Sequence, residues 1–252
     1  MVEEEIEIRT SDGTADAVLY RADDARSHPG VIHLTDIGGI RAAHRDMARR
    51  LSLHGYTVLM PNVFYRTGRP PVLDLPAGAG DEERTKRLAE LRAPLTTDAV
   101  DRDVAAYVDF LAAGRSAGQG RSASQGAMGI VGYCFTGGMA MRAAAARPNR
   151  IAAAGSFHGG GLFTESPGSP HLLLPRIKAR LYFGHAVQDR SMPQESIEKL
   201  ERALEVWGGA YESKVYEGAY HGWTVPDSPV YNRPQAEHAF QKLTELFAQT
   251  LQ

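Results

Sequence analysis

The chain opens on alternation. Glu5-Ile-Glu-Ile-Arg9 and Ala15-Asp-Ala-Val-Leu-Tyr20 place apolar residues at every second position around Ser11-Asp12-Gly13, the pattern of a β-hairpin. Gly30-Val-Ile-His-Leu-Thr35 is short and almost wholly apolar, as a strand covered on both faces is. The period then becomes helical from Ala42 to His54, with Met47 and Leu51 inward and Gly55 as a stop signal. Tyr56 to Met60 predicts the next strand, closed by Pro61. Helical spacing returns from Glu83 to Arg92 and from Thr97 to about Ala113. Ala127 to Gly132 is an apolar strand, and the Ala-rich stretch from Phe135 to Ala146 is a helix. Strands are expected at Ile151–Phe157, Arg180–Phe183 and Tyr211–Tyr216, with helices from about Pro193 to Trp207 and Gln235 to Leu251. Strands that alternate with helices predict an α/β fold, a mostly parallel sheet with helices on both faces. With no linker and no internal repeat, residues 1–252 are expected to form one domain.

Two segments carry no period. Residues 66–81 are rich in Gly and Pro, which fits either a functional loop or lid, or a mobile insertion. Residues 114–126 are rich in Ser, Gly and Gln and read as a surface loop.

The candidate chemistry lies where strands end. Cys134 is the only cysteine and sits in Gly132-Tyr-Cys134-Phe-Thr-Gly137-Gly138, between a predicted strand and a predicted helix. A nucleophile on such a turn has its side chain exposed above the sheet and backbone N–H groups beside it. The helix N-terminus favours a thiolate. Gly132 supplies the small residue two places before, but Thr136 stands where a small residue is usual two places after. A lone cysteine is also, in general, a small buried hydrophobe. Asp189 follows the strand ending near Gly184, and His221 follows the strand ending near Tyr216. Nucleophile, acid and histidine in that order, each after a strand, form a hydrolytic triad pattern. His221 would take or hold the thiol proton, Asp189 would orient His221, and the Phe135 N–H would be one oxyanion donor. Taken singly, Asp189 also reads as a cap for the helix near Pro193, and His221 as a surface histidine. Ser156 and the run His158-Gly159-Gly160-Gly161 lack the frame of a nucleophile and read as a tight loop bordering the site.

Composition narrows the classes. The chain has 252 residues, is 43% hydrophobic and 23% charged, and has a net charge of −2. Such a balance argues against nucleic-acid binding by bulk charge. A single cysteine excludes an intrachain disulfide framework and fits a reducing compartment. The acidic start Met1-Val-Glu-Glu-Glu is unlike a signal peptide, and no apolar run nears the ~20 residues of a bilayer span. The expectation is a cytoplasmic protein with no membrane partner. No histidine spacing suits a metal, and no phosphate loop is present, so no cofactor is expected.

With these residues the chain resembles the dienelactone hydrolase family of the α/β-hydrolase superfamily. The resemblance rests on Gly132-Tyr-Cys134 and its glycines, Asp189 with Met192-Pro193, Gly218-Ala-Tyr-His221-Gly-Trp223, and Gly55 to Tyr65. It covers about Gly30 to Phe247. The family implies an α/β-hydrolase fold, a Cys134–His221–Asp189 triad, and a second oxyanion donor at the Ile37 N–H. It also implies an acidic residue before that donor which activates the thiol. The chain has Asp36 there, where Glu is common; either it reaches Cys134 or it caps the next helix. Family members that take dienelactone hold its carboxylate with arginines, one shortly after the histidine, and Trp223-Thr-Val-Pro-Asp227 has none. Arg84, Arg87 or Arg92 of the helical segment from Glu83 to Arg92 could supply a cation instead, although nothing in the sequence places them in the site. Tyr133 and Trp223, with Phe135 and Phe64, suggest an aromatic substrate pocket.

The expected activity is cleavage of a small ester or lactone through a thioester, by a monomer or a homodimer. Two other classes fit the same residues. One is a binding or redox-sensor protein that uses Cys134 as a reactive thiol without turnover. The other is a lyase or isomerase with His221 as base.

Overall fold

The computed structural model describes residues 1–24, 26–75, 80–114 and 126–251. Its strands are β1 (Val2–Thr10), β2 (Gly13–Arg21), β3 (Gly30–Leu34), β4 (Thr57–Pro61), β5 (Met128–Tyr133), β6 (Ile151–Phe157), β7 (Arg180–His185) and β8 (Tyr211–Val215). They form one eight-stranded sheet in the order β1-β2-β4-β3-β5-β6-β7-β8. The β1–β2 hairpin and the β2–β4 pair are antiparallel; every later pair is parallel. The helices are α1 (Ala42–Leu53), α2 (Asp81–Arg92), α3 (Thr97–Ala112), α4 (Thr136–Ala146), α5 (Gln194–Trp207) and α6 (Arg233–Thr250). The expected α/β-hydrolase architecture is therefore present.

The alternation of each strand divides the core in two. Val131 and Tyr133 of β5 pack with Leu51 of α1 and Leu243 and Phe247 of α6 on one face. Ile130 faces the other way, with Val104 and Val108 of α3, Met139 and Ala143 of α4, and Leu200 of α5. Gly129 lets α6 approach the sheet closely: a Cβ there would lie 2.6 Å from the Phe247 ring. A larger residue would push the helix off the sheet.

Capping chemistry sets an element boundary that periodicity does not show. α6 starts at Arg233 because the Asn232 side chain accepts the Gln235 N–H, with Pro234 in the first turn. A 3₁₀ turn at Pro170–Arg176 had no periodic signal. Within the irregular 66–81 segment, Val72 is fully buried and its carbonyl accepts from Arg87 Nε at 3.0 Å. The Arg66 guanidinium is held by Asp103 and Asp12. Residues 66–75 are thus anchored to the fold, whereas 76–79, and nearly all of the expected 114–126 loop, lie outside the described residues.

Candidate active site

Among the described residues, three that are not glycine adopt positive φ: Cys134 (59°), His158 (40°) and Gln188 (50°). They follow β5, β6 and β7, adjacent strands whose carboxyl ends share one edge. Such conformations cost of order 1–3 kcal/mol each and persist where the surroundings hold them. The hold on Cys134 is visible. Its N–H is shared between the Phe157 carbonyl and His158 Nδ1, each at 3.1 Å. Thr136, buried, accepts the Tyr133 N–H at 2.8 Å and donates to the Tyr133 carbonyl at 2.8 Å. The residue that departs from the usual small-residue pattern is therefore a brace for the turn. Gly132 is obligatory: a Cβ there would lie 2.1 Å from the Thr136 carbonyl oxygen.

Cys134, His221 and Asp189 meet across this edge. His221 Nε2 lies 3.1 Å from Cys134 Sγ, and His221 Nδ1 lies 2.6 Å from Asp189 Oδ2. Asp189 Oδ1 accepts both the Ser191 N–H at 2.8 Å and the Ser191 hydroxyl at 2.6 Å. The α5 N-cap position belongs to Pro193, so Asp189 does not cap that helix. Burial alone would raise the Asp189 carboxyl, but the contacts with His221 and Ser191 outweigh it and lower it. Burial likewise pushes His221 down, and the contacts with Asp189 and Cys134 overcome it and raise it to about 10. Near neutral pH the imidazole is charged and its Nε2–H donates to sulfur. Neither the Ile37 nor the Phe135 N–H is used in a hydrogen bond among the described residues.

The sequence places His158 in a loop bordering the site without a role, and the structure gives it one. Because Nδ1 accepts the Cys134 N–H, the proton sits on Nε2, which donates to Thr224 Oγ1 at 2.8 Å. Burial, together with the nearby His221, drops its pKa to about 3, so it stays neutral. The glycines after it have a steric cause: Ser156 Oγ lies 2.3 Å from where a Cβ on Gly159 would stand. Only the His-Gly-Gly-Gly run hinted at this from sequence. Ser191, two residues after Asp189, is a common turn spacing that was also overlooked.

Three expected residues lie elsewhere. Asp36 makes a two-point ion pair with Arg41, at 2.6 and 2.9 Å, and its Oδ1 accepts the Gly38 N–H at 2.8 Å. Arg41 in turn grips Asp227. Burial raises the Asp36 carboxyl, yet the His44 and Arg41 contacts win and hold it well below the usual carboxylate range. Asp36 has no hydrogen bond to Cys134, and it is not the cap of α1, whose N-cap residue is Arg41. Its guanidinium partner takes the place of both expected readings. Trp223 is completely buried, its ring 4.4 Å from Tyr216, so it offers a ligand no surface. Tyr133 points to the α1/α6 face, away from the thiol, because it neighbours Cys134 on an alternating strand. Beside Ile37 a cavity of about 340 Å³ opens between Pro71, Leu73 and Arg84. The exposed Arg84 side chain makes no ion pair among the described residues; Arg87 and Arg92 do not line this cavity.

Comparison with known proteins gives the family and the fold. The model of the dienelactone hydrolase family matches residues 15–251. The carboxymethylenebutenolidase of Rhodococcus opacus is 27% identical over 238 residues, 92% of this chain and 86% of that protein. An Escherichia coli (strain K12) protein provisionally given the same name is 29% identical over 225 residues, 88% of this chain and 77% of its own length. The structure of a Klebsiella pneumoniae protein, provisionally named a dienelactone hydrolase, superposes with a TM-score of 0.84 at 24% identity, covering 98% of each chain. The chain belongs to the dienelactone hydrolase family of α/β-hydrolases, and it is a hydrolase of the carboxylic ester and lactone class.

Proposed function

We propose that the chain cleaves a small ester or lactone by covalent catalysis at Cys134. The supporting observation is the continuous Sγ–imidazole–carboxylate line, with links of 3.1 and 2.6 Å. The thiolate attacks the acyl carbon, and the N–H groups of Ile37 and Phe135 stabilise the tetrahedral oxyanion. Collapse forms a thioester as His221 Nε2–H passes its proton to the departing alkoxide, which in a lactone stays tethered. Neutral His221 then takes a proton from water, which attacks the thioester. The carboxylic acid leaves, and the proton returns His221 to its charged state beside the thiolate. Asp189 orients the imidazole and stabilises its charge, Ser191 holds Asp189, and His158 positions the Cys134 backbone. No cofactor enters this scheme.

The test is turnover of p-nitrophenyl acetate by the native protein and by folded Cys134→Ala, with mass spectrometry for an acetyl group on Cys134. Turnover should vanish in the variant, and the native enzyme should show the acetyl adduct when quenched in acid. Equal turnover in both would remove Cys134 as the nucleophile. Acetylation without turnover would instead favour a protein that uses the thiol to bind or sense.

A further inference from the structure

A second chamber lies across the sheet from the thiol. It is bounded by α1, α6 and the ends of β5 and β6, and has a volume of about 140 Å³. Its wall is largely apolar, with Tyr133, Phe157, Met47, Phe240 and Leu243 as the main contributors. Cys134, His221, Ile37 and Phe135 do not line it. An apolar cavity of roughly 150 Å³ is enough to hold a benzene ring.

One polar feature stands out in that wall. Tyr133 is only 4% exposed, yet its hydroxyl has no hydrogen-bond partner among the described residues. The hydroxyl is not wholly enclosed, so its donor opens onto the chamber, where a guest with an acceptor would replace water. The charges at the rim are already spent. Arg50 is bound to Glu237 through both terminal nitrogens and lies 3.7 Å above the Phe240 ring, and Asp46 pairs with Arg49. Thr224, also in the wall, is engaged by His158. An ionic guest would therefore lose its hydration for no counter-charge. A flat, neutral guest with one acceptor would fill the volume, lie against aromatic side chains and satisfy the phenol.

We propose that this chamber is a second ligand site, which takes a neutral one-ring aromatic molecule bearing a single hydrogen-bond acceptor for the Tyr133 hydroxyl. The site is independent of the thiol chemistry, so it is read by binding rather than by turnover.

The experiment is a fluorine NMR titration of the full chain with para-fluoroacetophenone, repeated with fluorobenzene, which has the ring without the carbonyl. Both probes should bind saturably, and alkylation of Cys134 with iodoacetamide should leave both affinities unchanged. Tyr133→Phe keeps the ring shape and should weaken the ketone about fivefold, the worth of one neutral hydrogen bond, without affecting fluorobenzene. Met47→Trp fills the chamber from a partly exposed position and should abolish binding of both. If neither probe saturates, or the ketone binds Tyr133→Phe as well as the native chain, the proposal fails. Binding that survives Met47→Trp, or disappears on alkylation of Cys134, would place the probe elsewhere and overturn it as well.

Discussion

Asp189→Asn isolates what the carboxylate does, because the structure dictates how the amide must sit. Asp189 Oδ1 accepts two hydrogens from Ser191, and one of them is a backbone N–H that cannot reverse its polarity. The asparagine must therefore keep its carbonyl oxygen on Ser191 and turn its NH₂ toward His221 Nδ1. That nitrogen then has to accept, so the imidazole proton moves to Nε2, the atom facing Cys134 Sγ. A neutral imidazole already protonated at Nε2 cannot take the thiol proton or activate water. The charge stabilisation that Asp189 gives His221 is lost in the same step. An amide that forces the wrong tautomer in an acyl-transfer triad costs about 10⁴ in kcat. That is about 5.5 kcal/mol of barrier at 1.36 kcal/mol per tenfold. The assay is steady-state p-nitrophenyl acetate turnover, with denaturant unfolding to show that stability is retained and nitrogen NMR of the histidine ring to report the tautomer. A loss of less than tenfold, with the proton still on Nδ1, would refute the reasoning.

Other outcomes follow from the same contacts. The His221 ring signal should titrate with a midpoint near 10, against an ordinary value of 6.5, and a midpoint at the ordinary value would contradict the Asp189 and Cys134 couplings. Because the folded value is the higher one, the stability tied to this charge is complete below about 6.5, wanes above it and is gone once the pH passes about 10; denaturant midpoints across that window check the sign. Gly132→Ala places a methyl 2.1 Å from the Thr136 carbonyl oxygen and should cost about 1–3 kcal/mol of stability or more, seen as a lower urea midpoint, with loss of esterase activity as the turn shifts. Arg84→Ala should raise KM for ester substrates that carry a carboxylate and leave p-nitrophenyl acetate unchanged, because Arg84 lines the cavity beside Ile37 with no partner carboxylate among the described residues; equal kinetics on both substrates would remove it from substrate binding.

The linear pattern was enough for most of the elements and for the three side chains that meet where the strands end. Periodicity is set by which faces of a strand or helix must be buried, so β3, β5 and α4 announced themselves in the order of apolar and small residues. Chain order also carried Cys134, Asp189 and His221, since a parallel sheet brings the ends of β5, β7 and β8 to one edge. Contacts between distant segments were not legible. Asp36 had two sensible readings in the sequence, and both gave way because Arg41 lies within reach and is itself anchored by Asp227, 186 residues away in the chain. Trp223 and Tyr133 looked like pocket residues from their neighbours, but burial and the alternation of β5 turned both from the thiol. His158 became part of the site only because β6 pairs with β5 in a register that sets its ring against the Cys134 N–H. Local propensity and periodicity are properties of neighbouring residues, and so the sequence determined the fold class and marked out the candidate groups. Who partners each polar side chain depends on register, on helix packing and on which charge gets there first, and the tertiary structure alone decided that.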